Sequence, residues 1–143
     1  MKKTNNQGFS LVELIIVIAI MAVLVGVLAP QFIKYVEKSR VAKDATAVEE
    51  LRNAVEVALT EDVVYTEMAA LLPLNTSSFT ISISPVGVVT YSTAVPKLAA
   101  ELASTVELPL KFGSKLYMNT TSGGATITIS AVDGNFKVVS DTP

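Results

Sequence analysis

The chain is 143 residues long, half of them hydrophobic and 17% charged, with a formal net charge of −2. It has neither His nor Cys, which excludes imidazole general-base catalysis, His or thiolate metal sites, thiol nucleophiles and a disulfide framework. The length suits one ordinary domain with at most an appended segment, and the absence of a basic stripe or an aromatic-interleaved patch gives no direct indication of nucleic acid.

In chain order, Lys2 and Lys3 lead into an apolar run, and from Leu14 to Ile33 twenty consecutive residues carry no charge. As a helix that stretch is roughly 30 Å long, the thickness of a bilayer's hydrocarbon core. The leading lysines predict a cytoplasmic amino terminus and an outward body; Lys34, Lys38, Arg40 and Lys43 on the far side oppose this, and Glu37 and Asp44 offset them only in part. A cleaved secretory signal is disfavoured because the run is too long and the small-residue site Val27-Leu28-Ala29 is followed by Pro30.

A plain anchor explains the length and the lysines but not Glu13. A carboxylate near the bilayer interior costs on the order of 3 kcal/mol and by default marks a functional site. No cation lies within helical reach of it, so its partner has to come from another subunit or from a positive charge made by processing. Gly26 and Pro30 sit inside the same helix, where Pro30 removes a donor and crowds the Gly26 carbonyl, so a kink or local melting is expected between them.

Helical spacing continues past the apolar run. Val41, Ala45, Val48, Leu51 or Arg52, Val55 and Leu59 form one stripe, with Lys38, Lys43, Glu49, Glu50, Asn53 and Glu56 on other faces. Glu37 with Arg40, and Arg40 with Asp44, have the spacing of helix-surface ion pairs on a solvated face, each worth a few tenths of a kcal/mol. The first half of the helix is apolar all round and needs lipid or other helices. The second half is apolar on one side and needs a covering sheet.

After Leu59 the pattern changes. A short helix is predicted over Thr66 to Leu72, stopped by Pro73, and strands over Phe79 to Ser84 and Val86 to Tyr91. A helix with Pro at its first position follows over Pro96 to Ala103. Lys115 to Met118, Ala125 to Ala131 and Phe136 to Val139 read as strands, the last two joined through Val132-Asp-Gly-Asn135, with Gly123-Gly124 in the preceding turn. The sheet would bury Ile127, Ile129 or Ala131, and Phe136 or Val138, against the helix stripe. The layout is α+β: a long amino-terminal helix, half transmembrane and half amphipathic, packed on a mainly antiparallel sheet.

Gly8-Phe9-Ser10-Leu11-Val12-Glu13-Leu14, with its short Lys-containing leader and the apolar run behind it, resembles the amino-terminal signature of type IV pilins and pseudopilins. The resemblance covers roughly residues 1 to 35. It implies cleavage after Gly8 by a prepilin peptidase, methylation of the new amino terminus on Phe9, and a filament-assembly role for Glu13. The new Phe9 ammonium supplies the missing cation. At 4 Å two opposite charges attract by about 4 kcal/mol at an effective dielectric of 20, comparable with the cost of burying the carboxylate. The pair could therefore set the register between otherwise smooth apolar helices. Pilins commonly carry a Pro where Pro30 stands and tolerate an unwound stretch nearby.

The implied organisation is a cleaved leader over 1–8, a transmembrane and filament-core helix over 9–33, and a globular head over 34–143 that includes the amphipathic half of the helix. No catalytic residues and no cofactor are expected. The Ser and Thr residues have no partner base, and no glycine-rich phosphate loop is present. Asp133 and Asp141 are sparse ligands for the calcium site some major pseudopilins carry, and Asp-Gly is in any case the favoured hairpin dipeptide.

The sequence therefore reads as a structural subunit of a type IV pilus, held in the cytoplasmic membrane before assembly and on the cell surface after it. The alternative is a pseudopilin of a type II secretion system, and a membrane-anchored binding protein that never polymerises is the rival of a different class. The expected partners are identical subunits, the prepilin peptidase, the pilus assembly platform with its ATPase, and the membrane. Adhesion, twitching motility and DNA uptake belong to filaments of this kind.

Overall fold

A computed structural model describes residues 10–72, 78–132 and 135–143. The chain divides into two compact units, residues 1–36 and 37–143. One helix, α1 (Leu11–Ala58, 48 residues), begins in the first unit and ends in the second.

The second unit carries the rest of the secondary structure. It adds α2 (Asp62–Leu71), β1 (Ser78–Ile83), β2 (Val89–Tyr91), α3 (Pro96–Thr105), β3 (Ala125–Val132) and β4 (Asn135–Asp141). The strands form one antiparallel sheet in the order β2-β1-β3-β4. This is the expected α+β architecture of a long apolar-headed helix followed by an antiparallel sheet.

Period two is visible in the sheet's burial. Ala125, Ile127, Ile129 and Ala131 of β3, with Phe79, Ile81 and Ile83 of β1 and Val138 of β4, point into the core, while Thr126, Thr128, Ser130 and Ser82 face outward. From α1 the same core takes Val48, Leu51, Ala54, Val55 and Ala58, with Leu59 just after the helix. Leu51, not Arg52, occupies the stripe. The Arg52 guanidinium instead bonds Glu49 at 2.7 Å and pairs with Glu56.

Asp44 departs from its sequence reading. It pairs with no Arg40 on a solvated face; it is 1% exposed, and its carboxylate accepts backbone N–H bonds from Gly113 at 3.0 Å and Ser114 at 2.8 Å. About two turns earlier, Glu37 accepts the Lys115 N–H at 2.5 Å, and Arg40 stands 3.9 Å from Glu37, as the spacing predicted. These carboxylates on α1 fasten the segment that follows Leu110.

That fastening explains a second correction. Lys115 to Met118 is a turn, not a strand. The Ser114 carbonyl accepts from Met118 N–H at 3.1 Å and the Ser114 hydroxyl from Tyr117 N–H at 3.3 Å, so the backbone groups a strand would offer to a neighbour are used within one coil. Asp44 and the fully buried Ser114 lock its start.

The other boundaries shift by a few residues. α2 starts at Asp62 rather than Thr66, and Pro73, its expected stop, lies outside the described residues. β2 begins only at Val89 because Ser84 to Val88 make the hairpin turn, with Gly87 at φ 79°. α3 has Pro96 at its start as expected and runs on to Thr105. Its amino terminus has no local side-chain cap. Glu67 of α2 supplies one, accepting from Lys97 N–H at 3.1 Å and Leu98 N–H at 3.0 Å. Val132 pairs with Asn135 as a hairpin requires, while Asp133 and Gly134 lie outside the described residues.

Candidate functional site: the amino-terminal helix

The site inferred from sequence comprises Gly8, Phe9, Glu13, Gly26 and Pro30. Gly8 and Phe9 lie outside the described residues. Ser10 is the residue before α1, and its carbonyl accepts the first helical bond, from Leu14 N–H at 3.3 Å. It therefore occupies the N-cap position, and Glu13 the third helical position.

Glu13 turns back over that helix end. Its Oε2 accepts the Ser10 N–H at 2.9 Å. This is one arm of a capping box, legible in Ser10-Leu11-Val12-Glu13 by its Ser-x-x-Glu pattern and passed over in the sequence reading. The carboxylate also lies at the positive end of the helix dipole, where an anion is favoured. Within one chain, then, Glu13 has a partner that is neutral.

Every described residue of the first unit up to Tyr35 is exposed, including Leu11, Ile15, Ile18, Leu24, Phe32 and Ile33. This stretch is long and apolar enough to cross a membrane, and none of its described residues is buried. α1 is helical through Gly26 and Pro30, without the local melting allowed for there. A Cβ added at Gly26 would meet nothing within 4 Å.

Among the described residues no group of three or more Asp or Glu side chains could hold a metal ion. Asp141 ends β4, and Asp133, its suggested companion, is outside those residues. Among the described residues the site holds no cluster of metal-ligating side chains. What it offers is an unburied apolar rod with one carboxylate folded over its end.

The chain thus pairs an α+β unit with one helix whose amino-terminal stretch is, by length and composition, apolar enough to cross a membrane. The model of the prokaryotic N-terminal methylation motif matches residues 3–29. The type IV major fimbrial protein FimA of Dichelobacter nodosus is 35% identical over 57 residues, 40% of this chain and 36% of that protein. The prepilin peptidase-dependent protein A of Clostridium perfringens is 41% identical over 64 residues, 44% of this chain and 45% of its own length, and a fimbrial protein of Pseudomonas aeruginosa is 36% identical over 56 residues, 39% and 36% respectively. Over its amino-terminal segment the chain is similar to type IV fimbrial proteins and a prepilin peptidase-dependent protein. The chain spans less than half the length of these relatives, and no solved structure matches it.

Proposed function

We infer that the protein is a structural subunit of a type IV pilus, stored in the cytoplasmic membrane with its amino terminus inside and assembled into a surface filament after cleavage between Gly8 and Phe9. The observation that carries this reading is the coincidence of a methylation motif over residues 3–29 with an apolar helical stretch exposed at every described residue up to Tyr35. A rod of this kind needs lipid before assembly and other copies of itself after it. Residues 1–8 are the leader, 9–33 the anchor and filament core, and 34–143 the head.

Cleavage after Gly8 leaves the Phe9–Ser10 amide intact, so the bond from Ser10 N–H to Glu13 survives it. The same carboxylate then stands one residue from the new, methylated Phe9 ammonium. Glu13 can keep its cap while a neighbouring subunit's ammonium, or its own, takes the second carboxylate oxygen. The Gly26–Pro30 segment is where the helix bends or stretches when packed. Identical subunits, the prepilin peptidase, and an assembly platform with its ATPase are the partners this role requires; catalysis is no part of it.

Intact mass and amino-terminal fragmentation of protein sheared from whole cells tests the reading. A chain starting at methylated Phe9 in abundant filaments supports the pilin. The same chain confined to the membrane favours a pseudopilin, and one that retains Met1 or the leader overturns processing altogether. Glu13→Gln separates the two roles of that residue. The amide still accepts the Ser10 N–H but carries no charge, so assembly is lost if the ion pair matters and kept if only the cap does.

A further inference from the structure

We propose that, before assembly, the head lies on the lipid headgroup layer through an apolar rim formed by Val86, Val88, Leu116 and Met118. These side chains are 76%, 46%, 40% and 53% exposed, on a unit whose other large apolar residues mostly fill one core.

The rim is continuous through its backbone. Leu110 N–H donates to Gly87 O at 3.0 Å, joining the β1–β2 turn to the segment that leads to Gly113. Gly124 N–H donates to Tyr117 O at 2.9 Å, and a Cβ at Gly124 would sit 2.3 Å from Ile83 O, so the 114–118 turn, the 123–124 turn and the start of the β1–β2 turn meet. Glu37, the first residue of the head unit, accepts the N–H of Lys115, the residue before Leu116. The 114–118 end of the rim therefore lies beside the first residue of the head unit.

Its distance from the membrane follows from chain length. Ile33 ends the uncharged stretch, and four helical residues, about 6 Å of rise, bring α1 to Glu37. The headgroup layer on each side of a bilayer is itself roughly 5–7 Å deep, from the difference between total and hydrocarbon thickness. Even a fully extended link of four residues would reach only about 14 Å. An apolar rim tethered this closely to the uncharged stretch can reach the boundary between headgroups and acyl chains, where amphipathic surfaces partition. Charge agrees with this occupant: Lys38, Lys43 and Lys115 are exposed, and no salt bridge is found for them among the described residues. They suit anionic lipid headgroups.

The proposal rests on the reading that α1 spans the membrane, and the experiment separates the two. The chain has no Cys, so single substitutions Met118→Cys, Val86→Cys, Val63→Cys and Val17→Cys can each carry a polarity-sensitive fluorophore. Val63, on α2, is 59% exposed. Each full-length, uncleaved variant is reconstituted at low protein-to-lipid ratio in phosphatidylcholine vesicles with or without phosphatidylglycerol, with spin labels at shallow or deep acyl positions. Labels at 118 and 86 are expected to shift to the blue and to be quenched by the shallow spin label at least about threefold more than the label at 63, and more strongly with phosphatidylglycerol present. Labels at 118 and 86 behaving like that at 63, while the label at 17 is quenched by the deep probe, would overturn the docking and leave the span. Shielding at 118 that grows only with protein-to-lipid ratio would assign the rim to a second copy and overturn the lipid assignment. A label at 17 that escapes the deep probe would remove the span and the docking together.

Discussion

The Asp44 carboxylate accepts the Ser114 backbone N–H at 2.8 Å across seventy positions of sequence, joining α1 to the turn that carries Tyr117 into the core. A buried carboxylate with backbone donors on it is a stable arrangement only while the donors remain, and the donors are satisfied only while the carboxylate remains.

Asp44→Ala should therefore lower the stability of the head by about 2–4 kcal/mol, because it leaves the Gly113 and Ser114 N–H groups unsatisfied next to the core. Asp44→Asn, which keeps one acceptor oxygen, should lose less. Urea unfolding of the full chain in detergent, followed by near-ultraviolet circular dichroism of the tyrosines, measures both. Equal loss for the two variants would show that the hydrogen bonds are not what holds the turn.

Glu67 caps α3 from another helix. Replacing it by Ala should cost about 1–2 kcal/mol, the usual worth of an N-terminal cap, and Gln should recover part of that. Hydrogen exchange at Lys97 and Leu98 reports the cap directly: both amides should exchange faster in the Ala variant while the β3 amides change only as much as global stability does.

At Gly87 the backbone is left-handed, and a Cβ would sit 1.7 Å from the Leu110 carbonyl oxygen. Gly87→Ala must therefore move either the β1–β2 turn or the segment after α3. A loss of at least about 1–3 kcal/mol is expected from strain and backbone displacement together. If thermal unfolding of the variant matches the parent, the two segments are not held together as described.

Glu49 has its pKa held below the usual carboxylate value, first by the Ser140 hydroxyl that donates to it and then by Arg52. A depressed carboxylate contributes stability that is present above its unfolded pKa and is lost as pH falls through its folded value. Ser140→Ala should raise the Glu49 pKa toward the ordinary range without removing the Arg52 contact. Side-chain carboxyl chemical shifts followed by NMR from neutral to acid pH would show it, and an unchanged midpoint would remove Ser140 as the main cause.

Gly26 has open space around it in the single chain. Gly26→Ala should strengthen α1 by about 1 kcal/mol through helix propensity alone. Amides near Pro30 should then exchange more slowly in micelles. If the segment bends or stretches in filaments, the same variant should yield stiffer filaments in force-extension measurements; unchanged extension would remove Gly26 from that role.

What the amino-acid sequence determined by itself is what depends on neighbours close along the chain. Twenty uncharged residues make a stretch long and apolar enough to cross a membrane, period two makes β1, β3 and β4, and Pro96 opens α3 at its first turn. The methylation motif and the isolated Glu13 are local too, and Ser10-Leu11-Val12-Glu13 already contained the cap that the structure shows. Tertiary structure decided the groups whose partners lie far away. Arg40 and Asp44 have helix-pair spacing, but Asp44 turns inward because two backbone donors from the 113–114 segment outcompete one exposed ion pair worth a few tenths of a kcal/mol. For the same reason Lys115 to Met118 coils instead of pairing, despite a strand-like composition, and Glu67 serves a helix thirty residues on. A carboxylate's charge is visible in a sequence; which unsatisfied N–H groups the fold brings to it is not.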